Sequence, residues 1–548
     1  MKFRSICGAL ALQLVLVGSG LTQEPAPAAP PPGYEELTGL FDRFRAIAEP
    51  QIVNGVPDYS AAAMTDQHAQ VRAMLAELEQ IDDSAWPIPR RVDYMLVLAE
   101  LRGLDFQHRV VRPWARDPGF YSTTNLGFGP KMAGAMPAPS APVPADERNA
   151  LIGKLNAVPA ILAQARSNLT DARGDLARLA IQQKNIEQNV YAELARKTAQ
   201  DDPELAQAAD SARAATAEFI AWLESVEASL PAYGGVGREN YDWYLKHVLL
   251  FPYSWEEMRI LAQREYERSM TFLKIEEHEH KGLPMIEPAE TLEEFERRRN
   301  AADHDILEYF REKDVMTVPD WLEPPVGEGP YVLPGDRDPE KGGPFEAPIR
   351  RHFFRQAEDR NPHALRAHNL PGHLFDQMMG ARDTRPIRSA DRLYFIDGPR
   401  IEGWAFYLEE FILQAGLLDS RPNARIITYI LQVKRAARVL PELKLHSNEW
   451  TYDEALASLT TRTPKWMGPQ DSIARFDLEL YLRQPGYGIG YYMGKVHLEA
   501  LLSERAQQLG DDFDLKEFHD AFHASGLIPI SLIRWEMTGR GDEIAEMR

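Results

Sequence analysis

The stretch DLARLAIQQKNIEQNVYAELARKTAQ, residues 175–200, is the clearest indication of the fold class of this chain. It belongs to a longer segment rich in Ala, Leu and Gln, Ala145 to Leu230, in which Pro159 and Pro203 are the few interruptions. Apolar residues recur here at helical spacing, but they do not hold the strict seven-residue register of a coiled coil. The stretch therefore predicts antiparallel helices packed in one bundle.

Helical patterning continues on both sides of this segment. It runs from about Tyr34 to Arg116, then over Trp255 to Glu277, and over most of the chain from Pro362 onward. A Pro- and Gly-rich stretch, Pro319 to Pro348, predicts an irregular loop or short strands. The β-branched runs that a large sheet needs are missing. The sequence therefore predicts a mainly α fold, a large multi-helix domain with a few short strands.

The N-terminus has the layout of a secretory signal peptide. Lys2 and Arg4 precede the apolar run ICGALALQLVLVGSG, which is too short to span a bilayer comfortably and ends in small residues. Cys7 precedes the apolar core rather than following it, so a lipid-anchor cysteine is not supported. We predict that the mature protein is exported, periplasmic or extracellular, without stable insertion in a membrane.

The remaining chain is predicted to form one domain. A signal peptide over 1–22 and a stiff Pro/Ala-rich linker over 23–33 lead into a helical domain over 34–548. Within it we predict an N-terminal helical lobe of about 34–236 and a C-terminal lobe of about 237–548.

Composition excludes several classes of protein. The 548 residues include 82 Asp and Glu against 61 Lys and Arg, a formal net charge of −21. This balance argues against nucleic acid as a partner, because phosphate binding needs clustered positive charge. Cys7 is the only cysteine, which rules out a disulfide scaffold and any cysteine-based metal site or nucleophile in the mature chain.

Candidate metal ligands occur in NPHALRAHNLPGHLFD, residues 361–376, where His363, His368 and His373 recur at five-residue intervals. Two imidazoles four residues apart share a helix face and can bind one zinc, but five apart they are rotated by about 140° on a regular helix. A bulge or turn would have to bring His368 and His373 together, and Pro371–Gly372 supplies a local reason for one. The alternative is two polar residues at a helix end.

A carboxylate in the next helical segment could complete such a site. In IEGWAFYLEEF, residues 401–411, Glu402 lies on a largely apolar helix, so its carboxylate needs a cation, a hydrogen-bond donor or a metal. Two histidines on one helix and a glutamate on a later one are the ligands of many zinc hydrolases. The alternative is a buried Glu402 paired with an arginine such as Arg400 or Arg435.

An ordered set of motifs resembles the bacterial family called domain of unknown function 885. The set comprises PGH at 371–373, EGWAFYLEE at 402–410, KLHSNEWTYDEA at 444–455, PGYGIGYYMGK at 485–495 and FDLKEFHDAFHASGLIPISLI at 513–533. The resemblance covers most of the mature chain and is densest from Gly237 onward. It implies a helical, metallopeptidase-like domain with a central cleft between Pro362 and Lys495, zinc as the cofactor, and a peptide or small amide as the substrate.

The same resemblance assigns roles to individual residues. His373 and Glu402 would be metal ligands by this resemblance, and His368 joins them as the third ligand on the reasoning from residue types above. His446 and Tyr491 would line the cleft, where either could donate a hydrogen bond to the oxyanion that forms when water attacks a carbonyl.

The chain departs from the family's signature, His-Glu-x-x-Pro-Gly-His. Aligned on Pro-Gly-His, the first histidine is replaced by Ala367 and the glutamate by His368; with one residue deleted, His368 is the first ligand and Asn369 replaces the glutamate. Under neither alignment is the expected general base present. Leu480 and Tyr492 also stand where the family has an arginine and a lysine.

Three hypotheses about function follow. The first is an exported zinc-dependent hydrolase that cleaves peptide or amide bonds with metal-activated water, in which another carboxylate acts as the base; Glu409 and Asp376 are the nearest in sequence. The second is a catalytically silent relative that binds a peptide or a glycan in the inherited cleft, for which aromatic residues are suited: Trp404, Tyr487, Tyr491 and Tyr492. The third is a metal-free hydrolase that uses His368 and a carboxylate.

Overall fold

The computed structural model of the chain describes residues 31–127, 129–327, 329–333, 344–346 and 349–548. The predicted signal peptide and most of the predicted linker lie outside the described residues. Helices account for 66% of the structure and strands for 2%, which confirms the predicted mainly α fold. Among the described helices, none combines the length and the apolar character that crossing a bilayer requires.

The α-helices are numbered in chain order. Up to residue 312 they are α1 Tyr34–Ile47, α2 Ala61–Leu78, α3 Ile88–Phe106, α4 Pro113–Arg116, α5 Arg148–Asn168, α6 Gly174–Thr198, α7 Pro203–Val226, α8 Arg238–His247, α9 Trp255–Glu279 and α10 Leu292–Glu312. After the Pro- and Gly-rich stretch they are α11 Phe353–Glu358, α12 His363–Ala367, α13 Phe375–Gly380, α14 Gly398–Gln414, α15 Pro422–Ala437, α16 Val439–His446, α17 Tyr452–Arg462, α18 Ser472–Arg483, α19 Tyr487–Leu509, α20 Leu515–Ala524, α21 Ile530–Thr538 and α22 Asp542–Met547.

Other regular elements are short. Gln107–Val111 and His368–Leu374 are π-helices, and Pro118–Tyr121, Glu227–Ser229 and Gly510–Asp512 are 3₁₀-helices. Two small sheets match the predicted few strands: β1 Ile52–Val53 pairs antiparallel with β2 Val56–Pro57, and β3 Thr124–Asn125 pairs parallel with β4 Met136–Pro137. In the described part of residues 319–348 there is no strand.

Helices α5, α6 and α7 form the bundle that the Ala- and Leu-rich segment predicts. They share a buried apolar cluster that includes Leu155, Leu194 and Phe219. Pro159 lies inside α5 without ending it. Pro203 occupies the first turn of α7, where a missing N–H costs nothing, and the Asp202 side chain caps the helix by accepting from the Leu205 N–H at 3.1 Å.

The largest core joins the first three helices to the C-terminal half of the chain. Phe44 and Leu101 belong to the same buried cluster as Trp404, Ile430 and Ile533. Helices α1–α3 therefore pack with the elements that carry the candidate site, whereas α5–α7 have a cluster of their own. The lobe boundary near residue 236 and the central cleft stay predictions.

Glycines allow three elements of the C-terminal half to approach backbone to backbone. A Cβ at Gly403 of α14 would lie 2.5 Å from the Gly494 carbonyl carbon of α19, closer than real Cβ contacts permit. A Cβ at Gly372 of the π-helix would lie 3.1 Å from the Ala405 Cβ of α14. Close packing of the π-helix and α19 against α14 brings the predicted histidines, Glu402 and the tyrosines of α19 into one region.

Candidate metal centre

The π-helix His368–Leu374 places the two predicted histidines side by side. A π-helix closes its hydrogen bonds from residue i to residue i+5, so side chains five apart return to nearly the same face. Pro371, which lacks an N–H, lies within this segment, and the Trp404 indole N–H donates to its carbonyl oxygen at 3.2 Å. The expected bulge thus takes the form of a π-helix, and the Nε2 atoms of His368 and His373 lie 3.0 Å apart.

Glu402 completes a cluster of three metal-ligating groups. Its Oε2 lies 3.5 Å from His373 Nε2 and 3.7 Å from His368 Nε2. Zinc bonds of about 2.0–2.2 Å at tetrahedral angles would separate ligand atoms by about 3.3–3.6 Å. The three distances of 3.0, 3.5 and 3.7 Å are close to this range. Glu402 Oε2 is also buried without a hydrogen-bond partner among the described residues, an arrangement that a cation would relieve. The donor set therefore fits a small divalent cation.

The three groups differ in their preferred charge. Burial, with the nearby Arg435, lowers the pKa of His368 well below its ordinary value. Burial opposes protonation of His373, but Glu402 outweighs it and raises the pKa of His373. Burial likewise opposes ionisation of Glu402, yet the two histidines, His373 above all, bring its pKa down to about 2. A cation that bound here would have to displace the proton of His373.

Glu409, the predicted base, lies behind His368. Its Oε1 is 2.9 Å from His368 Nδ1 and accepts a hydrogen bond from the Arg435 guanidinium. A carboxylate in this position makes Nδ1 the protonated nitrogen and leaves the lone pair of Nε2 directed at Glu402 and His373. Glu409 therefore has the geometry of a group that orients a metal ligand. Its role as a base stays a prediction.

Two tyrosines of α19 contact the cluster. The Tyr487 hydroxyl donates to Glu402 Oε1 at 3.2 Å, and the Tyr491 hydroxyl lies 3.5 Å from that of Tyr487. The Tyr491 ring is parallel to the His368 ring, with the centroids 6.3 Å apart. The structure therefore brings the predicted Tyr491 to the three ligands. Tyr487, predicted only as a ligand-binding aromatic, contacts Glu402 directly, and its spacing of four from Tyr491 on one helix was the available signal.

Two arginines, Arg435 of α15 and Arg438 directly after it, lie against the Tyr491 ring. The Arg438 guanidinium lies 3.5 Å from the Tyr491 ring centroid, and that of Arg435 lies 5.0 Å from it. The predicted alternative, an arginine paired with Glu402, does not describe the contacts found: Arg435 bonds to Glu409, and Arg400 bonds to Asp376. Arg438 was not singled out from the sequence; it directly follows the buried helix α15, and that was the only sign.

The contacts of His446 are with residues other than the three metal-ligand candidates. It is fully buried, its Nε2 is 2.9 Å from the Tyr481 carbonyl oxygen, and its ring stacks on that of Tyr241 with centroids 4.9 Å apart. Burial lowers the pKa of His446 to about 4. These contacts belong to the framework around α18, and a role for His446 in the site stays a prediction.

Other residues considered from the sequence also have partners elsewhere. Asp376 Oδ1 lies 3.2 Å from His523 Nδ1, in addition to the bond from Arg400. His363 Nε2 lies 3.1 Å from Asp305 Oδ2, so the third histidine of the series does not join the other two. The Tyr492 hydroxyl contacts Glu265 at 2.9 Å and Ser269 at 3.0 Å.

Comparisons with known proteins give a family from the sequence and a fold from solved structures. The sequence model of the family DUF885, described as a bacterial protein of unknown function, matches residues 53–537. No curated protein matches. A solved structure described as a "putative lipoprotein of unknown function" from Shewanella oneidensis has a TM-score of 0.67 and 18% identity, over 93% of this chain and 100% of its own. A "putative lipoprotein" from Colwellia psychrerythraea has a TM-score of 0.66 and 15% identity, over 92% and 99%. At these identities the likeness shows the fold alone.

Proposed function

The chain belongs to the DUF885 family of bacterial proteins, and on that premise we propose that it is an exported zinc-dependent hydrolase of peptide or amide bonds. One observation carries the proposal: His368 Nε2, His373 Nε2 and Glu402 Oε2 converge within 4.8 Å of one another, and among the described residues the buried carboxylate oxygen has no neighbouring cationic group other than these two imidazoles and no hydrogen bond of its own. Two histidines and one glutamate form a three-ligand set that leaves a fourth position open for water or substrate.

Zinc held there would lower the pKa of a bound water and polarise a substrate carbonyl. The protein's own groups supply the orientation. Glu409 fixes the tautomer of His368, and the hydrogen bond from Tyr487 to Glu402 Oε1 leaves Oε2 directed at the histidines. These contacts would keep the three ligand atoms in place through a catalytic cycle.

Tyr491 is suited to be a hydrogen-bond donor rather than a base. Burial and the nearby Glu402 raise the pKa of Tyr491, so its hydroxyl keeps its proton. Beside a reacting carbonyl it would stabilise the developing oxyanion. Glu409 contacts His368 at Nδ1, on the side away from the other two ligands, and Asp376 pairs with Arg400 and His523. We therefore infer that hydrolysis proceeds without a carboxylate base. The rate would then lack a factor of about 10²–10⁴ that general-base catalysis contributes.

Export is supported from two directions. The N-terminal sequence has the pattern of a signal peptide. The two structural neighbours are described as putative lipoproteins, a class of exported protein.

A second candidate is a catalytically silent relative that binds a peptide or a glycan at the same place. The observation in its favour is that each of the two carboxylates considered as a base, Glu409 and Asp376, is held in an ion pair with an arginine and contacts none of the ligand atoms His368 Nε2, His373 Nε2 and Glu402 Oε2. In that case the metal centre would hold a ligand without cleaving it.

The test is metal content by elemental mass spectrometry on residues 23–548 and on the His373→Ala variant. His304→Ala is the matched control, because the His304 side chain is 72% exposed and contacts Glu308 rather than the cluster. We expect about one zinc per chain in the parent and the control and none in His373→Ala. A peptide library is then screened with and without a chelator. Undiminished zinc in His373→Ala would refute the ligand set, and zinc binding without any turnover would favour the silent relative.

A further inference from the structure

A second site stands out because it is basic in an acidic chain. A cavity of about 410 Å³ has four arginines in its wall, Arg109, Arg112, Arg116 and Arg173. The chain as a whole carries a formal charge of −21. None of the residues that line this cavity belongs to the metal centre or contacts its three ligands.

The carboxylates in contact with these arginines do not balance them. Asp171 is shared by three of the four: it bonds to Arg112, lies 2.6 Å from Arg173, and is 3.7 Å from Arg116 Nε. Arg109 has a partner of its own at 2.5 Å, Asp105. Three guanidinium groups on one carboxylate leave an excess of two positive charges among these contacts. Asp117 also favours the charge of Arg116, but it is itself paired with Arg483 at 2.8 Å.

Arg116 is the most deeply placed of the four. It is 7% exposed, and it donates to the carbonyl oxygens of Val110 at 3.2 Å and Gly235 at 3.1 Å. Its Nε has no hydrogen-bond partner among the described residues, and the same holds for Arg173 Nε. Burial lowers the pKa of Arg116 to about 10, a sign that its charge is poorly solvated. Buried donors left in this state are costly unless a ligand or water satisfies them.

The backbone at the wall is also in an uncommon conformation. The π-helix Gln107–Val111 is followed by Arg112, which has a left-handed φ of 40° and whose N–H donates to the Gln107 carbonyl oxygen at 2.7 Å. A left-handed backbone conformation is costly for a residue that carries a Cβ atom. Such strain and π-helical segments concentrate at functional sites, and here both determine where Arg109 and Arg112 stand.

We propose that this cavity binds a small molecule that carries a phosphate or sulfate group. Two uncompensated guanidinium charges match a dianion, and the planar guanidinium fork binds oxyanions through paired hydrogen bonds. The volume exceeds that of the anion itself and falls within the range of small-molecule sites. Tyr233, Asn240 and Asn448 supply a ring and amide groups for the rest of the ligand. This inference does not depend on the metal centre.

The test is isothermal titration calorimetry with sulfate, inorganic phosphate and acetate at low ionic strength. Arg173→Gln and Arg112→Gln are compared with Arg213→Gln, a matched control on α7 that pairs with Asp210 at the surface. Sulfate and phosphate should bind saturably at one site, and acetate should not. Each cavity variant should weaken binding at least about tenfold, and the control should leave it unchanged. Thermal unfolding of each variant checks that it is folded.

The two anions are distinguished by pH. Lowering the pH from about 8 to about 5.5 makes phosphate a monoanion but leaves sulfate a dianion, so only phosphate should bind more weakly. Absence of saturable binding of both anions up to about 20 mM would overturn the proposal. Equal affinities in Arg173→Gln and Arg213→Gln, with both proteins folded, would overturn it as well.

Discussion

Replacement of Glu409 by glutamine tests whether this residue orients the metal ligand His368 or only stabilises the core. In the parent protein Glu409 Oε1 lies 2.9 Å from His368 Nδ1. The variant keeps the shape of the side chain and an oxygen that can accept a hydrogen bond from Nδ1, but it removes the negative charge. Loss of such a partner behind a ligating histidine lowers metal affinity by about 10–100-fold, or about 1.4–2.7 kcal/mol. The fully buried setting of Glu409 places the expected loss in the upper half of that range.

The same substitution also affects folding without metal. Arg435 is 2% exposed, and Glu409 is its carboxylate partner. Removing one partner of a buried ion pair costs about 3–5 kcal/mol, and the amide oxygen that remains should keep the loss near the lower value. A fall in stability alone would therefore say nothing about the metal.

The neighbouring residue supplies the control. Glu410 is also buried in ion pairs, at 2.7 Å from both Arg268 and Lys495, but it contacts neither histidine. Zinc affinity is measured by competition with a fluorescent chelator, and stability by thermal unfolding of the metal-free proteins. Glu409→Gln should lose both affinity and stability, whereas Glu410→Gln should lose stability alone. Equal zinc affinities in the two variants would refute an orienting role for Glu409.

Three further predictions concern the pH dependence and packing of the site. Zinc affinity should fall by about tenfold per pH unit below the raised pKa of His373, because Nε2 must lose its proton before it binds; chelator competition at several pH values measures this. Tyr487→Phe should weaken zinc binding by about 1 kcal/mol through loss of its hydrogen bond to the ligand carboxylate, whereas Tyr492→Phe should not change it. Gly403→Ala should destabilise the protein by about 3 kcal/mol or more, because a Cβ there would lie 2.5 Å from the α19 backbone. Gly153→Ala, in open space on α5, is the control and should be neutral or stabilising; thermal unfolding measures both.

Local patterns in the sequence were sufficient for the helices and for the candidate ligands. The apolar periodicity of residues 175–200 reports which face of a helix is buried, and that information is carried by neighbouring residues. His368 and His373 were identifiable from their five-residue recurrence next to Pro371–Gly372, and Glu402 from its place on a largely apolar helix. That α1–α3 pack with the C-terminal half could not be read in this way, since contacts between distant segments leave no periodic signal.

The partners of the buried charges were harder to predict. Glu402, Glu409, Arg400 and Arg435 are all buried, and the sequence alone allows several pairings among them. The pairing of carboxylates with arginines depends on how α14 and α15 are rotated relative to each other. The amphipathic pattern shows which face of each helix is buried, but it does not determine this relative rotation closely enough to assign the pairs. The basic cavity was likewise hidden, because its arginines are scattered over more than sixty residues and form no charge run.

The π-helix between His368 and His373 has a consequence for how relatives of this chain should be compared. A deletion of one residue there would reduce the histidine spacing to four, and an ordinary α-helix already brings residues four apart to the same face. Both lengths can thus present the same two imidazoles to one ion. A gap in an alignment at this point then marks a change of helix type rather than the loss of a ligand. Insertions and deletions during evolution could therefore change the sequence of the motif while the pair of ligands is kept.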